Sequence, residues 1–340
     1  MKKIKDDRSL RTKLYYYFMV IAGPSTVFIS SGAVTYSVYN IAISPLFSTD
    51  SIFSIFFGFI LIFIIFTSWF IANSTLIYSA VIDPGSTNFI LNSKDYQEKY
   101  SMFLSPEFIS TLPKCDKCGL PKPPRCHHCS TCGRCHLKLD HHCVIIGKCV
   151  SLRNQQPFYV ACHWATLSLF FDIIVLSFIF AFSLLFKGIY KLSNHHNFDV
   201  KTVLIHKRTF FDSFLIKGYK ELTTLFIFDI LTILLFSLFY SFISDSFQKV
   251  KQNSTTFELI FPPKNQNYNP YDLGEEENIY QVYGDGKLRL WWPKITDMCG
   301  FEWVTPEYAI QNSYIDNNDT NYDLHISNED NHEVLFQQVE

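Results

Sequence analysis

Residues 14–49 and 51–82 contain no Asp, Glu, Lys, Arg or His. Each run exceeds the roughly 20 apolar residues needed to cross the hydrocarbon core of a bilayer. That absence of charge excludes a wholly soluble protein. Positions 295–340 lack Lys and Arg altogether while holding ten Asp or Glu, so no nucleic-acid partner is expected. The first apolar run follows a basic stretch but lacks a small-residue cleavage site and is too long for a secretory signal, so it reads as a retained helix. The chain is read as free of internal repeats. From about residue 306 onward, apolar residues are too sparse among Asn, Asp and Glu to build a core, and 306–340 reads as an acidic, disordered tail.

What is present completes a membrane architecture. Two further apolar stretches, about 158–186 and 222–244, are each interrupted by one carboxylate, Asp172 and Asp229. Such groups are costly in lipid and are expected to face other helices with a hydrogen-bond partner. The expected fold is an all-α integral membrane protein with four transmembrane helices. A Cys/His-rich zinc-binding insert lies between helices 2 and 3. Four crossings place both termini on one side. Six basic residues precede the first span and ten lie in 83–157, whereas the 43–50 turn has none, which favours a cytosolic insert and cytosolic termini. The seven Lys or Arg of 187–221 argue the other way, but the first helix usually dominates orientation. The expected divisions are a basic tail (1–13), a first transmembrane hairpin (14–82), the insert (83–157), and a second hairpin (158–244) with a luminal loop at about 187–221. A cytosolic carboxyl-terminal region (245–305) and the acidic tail follow.

Eight of the ten cysteines fall in 115–149. On the reducing cytosolic side, clustered cysteine reads as metal ligation or catalysis rather than disulfides. The insert reads Cys115-Asp-Lys-Cys118, then Arg125-Cys126-His127-His128-Cys129-Ser-Thr-Cys132-Gly-Arg-Cys135-His136, then Asp140-His141-His142-Cys143 and Cys149. Structural zinc sites are closed tetrahedra of four Cys or His ligands built on C-x₂-C knuckles. Thirteen Cys or His in this segment suffice for two ions with several to spare, although spacing alone does not say which ligand serves which ion. A spare thiol beside spare imidazoles suits nucleophilic catalysis. Cys162 and Cys299, outside the cluster, read as inert buried thiols.

The string Asp140-His141-His142-Cys143, with its preceding ladder of cysteines and the following Asn154-Gln-Gln-Pro-Phe158, resembles the Asp-His-His-Cys (DHHC) family of protein S-acyltransferases. Asp83-Pro84-Gly85, Thr255-Thr256-Phe257-Glu258 and Asn269-Pro270-Tyr271-Asp272-Leu273-Gly274 with Val282-Tyr283-Gly284 are similar to further motifs of that family. The resemblance implies one zinc on Cys115, Cys118, His128 and Cys135, and a second on Cys129, Cys132, His142 and Cys149. It implies Cys143 as nucleophile, His141 as its base and Asp140 as the carboxylate that orients His141. The implied reaction is ping-pong. A long-chain acyl group, such as palmitoyl, passes from acyl-CoA to Cys143 and then to a cysteine of a cytosolic or membrane protein substrate. The helices would hold the acyl chain in a cavity open to the bilayer. The implied cofactors are two structural Zn²⁺, with acyl-CoA as co-substrate. The implied location is an endomembrane, Golgi or ER, or the plasma membrane.

Departures from the family pattern follow the nucleophile. Val144-Ile145 stands for Pro-Trp, Gly147-Lys148 for an Asn pair, and Ser151 for Gly. The alternatives are a weakly active member or pseudoenzyme, and a non-catalytic zinc docking or ubiquitin-ligase-like module in which every thiol is a ligand. Cys126 reads as a spectator.

Overall fold

The computed structural model describes residues 10–48, 52–195, 219–262, 269–286, 289–296 and 298–303. The expected acidic tail and most of the 187–221 loop lie outside them. The uncharged first run forms helix α1 (Leu10–Val38), which contains Pro24 and ends in a π-turn (Tyr39–Ile43) and a 3₁₀ turn (Ser44–Ser48). The second run forms α2 (Ile52–Val81). Three short helices follow, α3 (Thr87–Asn92), α4 (Lys94–Lys99) and α5 (Pro106–Thr111). The hydroxyls of Ser86 and Ser105 accept the first free N–H groups of α3 and α5, and Pro106 opens α5 where a missing N–H costs nothing. Among the described residues, long helices α6 (Gln155–His195) and α7 (Tyr219–Lys251) and short helices α8 (Thr256–Ile260) and α9 (Glu275–Tyr283) follow. Among the described residues, three helices are long and apolar enough to cross a membrane: Ile52–Val81, Gln155–Leu185 and Leu222–Lys251.

The insert departs from the all-α expectation. Its Cys/His segment folds as two antiparallel hairpins, β1 (His127–Cys129) with β2 (Arg134–His136), and β3 (His141–Cys143) with β4 (Lys148–Val150). The expectation of no repeat is corrected here too. His-His-Cys-x-x-x-Gly-basic-Cys occurs at 127–135 and again at 141–149. Both turns close on a left-handed glycine, Gly133 (φ 66°) and Gly147 (φ 66°), the conformation that glycine adopts without a Cβ penalty. The repeat is shorter than the periods of solenoid folds, and it shows only once the strands are aligned.

The chain forms two compact units. One is drawn from Met1–Pro24, Ile77–Tyr159 and Asp245–Glu340, the other from Ser25–Leu76 and Val160–Ser244. In the first, Ile90, Leu91, Leu104, Leu112, Leu120, Leu137, Leu152 and Phe301 pack into a core around the insert. Asp83-Pro84-Gly85 makes the turn that leads in. Asp83 Oδ1 accepts the N–H groups of Gly85 (2.9 Å) and Ser86 (2.7 Å), and the Gly85 carbonyl accepts Leu137 N–H (3.0 Å). Asn154 closes the exit, its Nδ2 donating to the carbonyls of Ser79 (3.2 Å) and Cys149 (2.9 Å).

In the second unit, Val38, Ile43, Leu46, Ile65, Val175, Leu176, Ile179 and Leu225 are buried together. Trp69 Nε1 donates to Ser31 Oγ at 3.0 Å, which pins α1 to α2. Asp229 accepts a hydrogen bond from Ser177 Oγ at 2.8 Å, as expected of a carboxylate within apolar helices. Asp172 is buried as expected, but its Oδ1 has no hydrogen-bond partner among the described residues.

Candidate active site

In a strand, neighbouring side chains point to opposite faces and residues two apart share one. The two hairpins use that period to sort their ligands. In the first, His128 and Cys135 face each other across the ladder; in the second, His142 and Cys149 do. Two groups of donors result, Cys115, Cys118, His128 and Cys135 in one and Cys129, Cys132, His142 and Cys149 in the other, with all ligand atoms of each group within 4.8 Å of one another. His128 and Cys129 are neighbours in β1, and they serve different groups because the strand turns them apart.

The donor sets fit zinc. A tetrahedron with ordinary Zn–S and Zn–N bond lengths has S···S edges of about 3.8 Å and S···N edges of about 3.6 Å. Cys115 and Cys135 lie 3.7 Å from His128 Nδ1, and the Cys118–Cys135 sulfurs are 3.5 Å apart. In the other group, His142 Nδ1 is 3.6, 3.4 and 3.7 Å from Cys129, Cys132 and Cys149, with Cys132–Cys149 at 3.5 Å. Three thiols and one imidazole make the Cys₃His set of a closed structural site.

The same alternation leaves His141 and Cys143 together on the other face of β3. Cys143 belongs to neither metal group and is buried. His141 Nδ1 lies 2.9 Å from Asp140 Oδ2 and hydrogen-bonds the Cys143 thiol. Burial disfavours the imidazolium, but the bonds to Asp140 and Cys143 outweigh it and push His141 up to about 9. Burial likewise opposes the Cys143 thiolate. The His141 bond and backbone N–H groups of Ile146 and Ile145 overcome it, so the thiol titrates below its ordinary value. The arrangement favours a thiolate beside an imidazolium, the activated form of a nucleophilic cysteine.

Asp140 is 2 % exposed and is held from three directions. Thr256 N–H donates to its Oδ1 at 2.6 Å, Tyr159 Oη–H donates to its Oδ2 at 3.2 Å, and His141 takes the rest. Burial raises its pKa, but these hydrogen bonds, led by His141, leave it below the ordinary carboxylate value. Thr256 reaches Asp140 because α8 starts there with a reciprocal capping box. Thr255 Oγ1 accepts Glu258 N–H, and Glu258 Oε2 accepts Thr255 N–H. The carboxyl-terminal motif thus contributes a backbone donor beside its side chains.

Arg125 had not been singled out in the sequence. Its guanidinium donates to both oxygens of Glu258 (2.7 and 2.9 Å), to Asn253 Oδ1 (2.8 Å) and to the Asn253 carbonyl (2.7 Å). It also stacks on Tyr271 (4.3 Å) and Trp303 (4.6 Å). Bidentate pairing and stacking are what a guanidinium does and an ammonium does not. The signal available beforehand was an Arg amid ligands and a Glu in a motif of the resembled family, 133 residues apart. Asn269 donates to the Asn253 carbonyl at 3.3 Å and accepts Tyr271 N–H at 3.1 Å, so its motif packs on the same anchor. Burial beside Arg125 drives Lys138, which lies over the Trp303 ring at 5.4 Å, down to about 7.

Three remaining Cys and His lie outside both metal groups. Cys126 is buried 3.4 Å from Thr87 Oγ1. His127 stacks on Phe257 at 4.0 Å. His136 is buried, and neither ring nitrogen has a hydrogen-bond partner among the described residues.

Residues 109–261 match the family model described as DHHC palmitoyltransferase. Among curated proteins, palmitoyltransferase ZDHHC20-A of Danio rerio is 32% identical over 195 residues, which covers 56% of this chain and 46% of that protein. Probable protein S-acyltransferase 14 of Arabidopsis thaliana is 31% identical over 205 residues, 59% of this chain and 56% of its own length. Palmitoyltransferase ZDHHC15 of Rattus norvegicus is 28% identical over 180 residues, 52% of this chain and 45% of its own length. The chain spans about half the length of these relatives.

Proposed function

We propose, from the match of residues 109–261 to the family model described as DHHC palmitoyltransferase, that this chain is a protein S-acyltransferase that works through an acyl-Cys143 intermediate. The observation that carries the reading is one continuous hydrogen-bonded line. It runs from Thr256 N–H to Asp140, from Asp140 to His141 and from His141 to Cys143. It ends on the one insert thiol besides Cys126 that lies outside both metal groups. A docking module built only to hold metal would have no use for a buried carboxylate aimed at an imidazole beside an unligated thiol.

The Cys143 thiolate attacks the thioester carbonyl of an acyl-CoA, the C–S bond to CoA breaks, and the acyl group rests on Cys143. The thiol proton goes to His141, whose imidazolium Asp140 stabilises, and His141 returns it to the departing CoA thiolate. A substrate cysteine then attacks the acyl-Cys143 thioester, with His141 accepting its proton, and Cys143 leaves as the thiolate. The residues that would hold two zinc ions are Cys115, Cys118, His128 and Cys135, and Cys129, Cys132, His142 and Cys149. When bound, the metal contributes folding energy and cross-links to the insert. The His142 and Cys149 pair then fixes the strand that carries His141 and Cys143.

The reading includes four crossings, with α1 as the first, and places the termini and insert in the cytosol on an endomembrane or the plasma membrane. The divisions at 1–13, 14–82, 83–157, 158–244, 245–305 and 306–340 belong to it. Substrates are proteins with a cysteine accessible at that face. The test is to incubate the purified full chain with labelled palmitoyl-CoA. Hydroxylamine-sensitive label is expected on the protein, followed by its transfer to an acceptor cysteine. A protein with two bound zinc ions that takes no label overturns the proposal.

A further inference from the structure

The β3–β4 turn, 144–147, is pressed between two structures. On its inner side it runs directly on from Cys143, the last residue of β3. On its outer side its backbone oxygens meet α1 at Gly23. A Cβ added to Gly23 would lie 2.8 Å from the Val144 carbonyl oxygen and closer still to that of Ile145. Both are main-chain atoms, which cannot swing aside as the end of a side chain can. Two other helical glycines are different. A Cβ at Gly32 meets only the Trp69 ring, at an ordinary 3.5 Å, and one at Gly58 meets the Phe47 ring.

Gly23 is followed by Pro24, which has no N–H to donate and so removes one rung of the α1 ladder. Helix and turn therefore touch at the point where α1 has no side chain and its ladder is weakest. The side chains of the turn do not fill this contact. Val144 is 65 % exposed and Ile145 36 %, so it is the backbone that rests on the helix.

Resting on the acyl-transfer reading, we propose that Gly23 is a positioning residue for the reaction. The bare face of α1 at Gly23 sets the depth of the 144–147 turn, and thereby the position of Cys143, from which the turn departs. Gly23 touches neither substrate nor nucleophile. It acts through the turn. A methyl group at residue 23 must drive the carbonyls away by an amount on the order of 1 Å, and a misplacement of that size in an active site costs about 10²-fold in rate.

The experiment uses the full-length zinc-loaded protein in lipid nanodiscs, as parent, Gly23→Ala and Gly32→Ala. The last controls for the general effect of Gly-to-Ala in α1. Single-turnover self-acylation is followed against palmitoyl-CoA concentration, together with zinc content and thermal midpoint. Gly23→Ala is expected to lower the maximal rate by ~10²-fold with the half-saturating concentration, the zinc and the midpoint as in the parent. Gly32→Ala is expected to behave as the parent.

An unchanged maximal rate in Gly23→Ala overturns the proposal. So does a loss accompanied by zinc release or by a matching fall in midpoint, which would make Gly23 a packing residue only. The rate at which iodoacetamide alkylates Cys143 at one fixed pH provides a readout that needs no acyl transfer. If the parent takes no label, acyl transfer fails as the function, and slower alkylation of Gly23→Ala than of parent and Gly32→Ala still supports the positioning role. Equal alkylation rates in all three refute it.

Discussion

The two hairpins of the insert share one plan and both supply metal-group residues, but they differ in what becomes of the leading histidine and the third-position cysteine. His127-His128-Cys129 and His141-His142-Cys143 are paired in the same register to a basic-Cys strand, through a turn closed by a left-handed glycine. In the first, Cys129 is joined three residues later by Cys132, and the C-x₂-C pair serves a metal group. In the second, the equivalent position is Ile146, buried in the core, so Cys143 has no partner with which to complete a knuckle. The leading histidines diverge too. His127 follows a cysteine, and burial and Lys122 push its imidazole down to about 4. Residue 140, an aspartate, holds His141 up at about 9. Two replacements therefore leave Cys143 outside both metal groups and give His141 a carboxylate, while His142 and Cys149 of the same hairpin still serve a metal group.

The largest test sets the equivalent cysteines against each other. Cys143→Ser is expected to abolish hydroxylamine-sensitive self-acylation while zinc stays at two ions per chain. Cys129→Ser is expected to lose one ion and much of the fold with it. Zinc analysis of both variants decides this, and release of metal by Cys143→Ser would erase the distinction between the hairpins.

Next come the leading histidines. His141→Ala is expected to slow self-acylation by ~10²–10⁴-fold, the contribution of general acid–base catalysis. His127→Ala removes a ring contact with Phe257, worth about 0.5–1.5 kcal/mol, and is expected to shift the denaturation midpoint rather than the rate. Rate and midpoint measured side by side check the division.

The anchor flanking the first hairpin gives an intermediate effect. Glu258→Gln leaves Arg125 buried with a neutral partner, and breaking a buried pair costs about 3–5 kcal/mol. The Glu258 carboxylate titrates below its ordinary 4.5, because Arg125 beside it outweighs the cost of burial. Its contribution is therefore fully present above pH 4.5 and lost as pH falls through the lower folded value. Denaturation of parent and Glu258→Gln should differ at neutral pH and converge on acidification. A constant difference would remove the ion pair as the cause.

The smallest effect is conditional. Ile146→Cys restores the missing half of the second knuckle, so added zinc is expected to inhibit this variant more than the parent, with chelator restoring activity. Equal zinc sensitivity in the two proteins would mean that the absent thiol is not what keeps Cys143 unligated.

Apolar runs without charge and the density of cysteine already announced long helices and two metal groups, because hydrophobic length and ligand type are local properties of a chain. The likeness of Asp140 through Cys143 to a known family singles out the proposed nucleophile for the same reason. The hairpins were not legible, and an all-α fold was expected, since strands of three residues carry too little periodicity to announce themselves. With the strands in place, alternation alone separates His142 from His141 and Cys143. The pairing of Arg125 with Glu258, the backbone donor from Thr256 to Asp140, the Tyr159 hydroxyl on the same carboxylate and the seat of the turn on Gly23 were decided by tertiary structure. Each joins positions far apart in the chain through directional bonds or steric fit. A sequence specifies such donors and gaps, but only the folded backbone brings them within reach of one another.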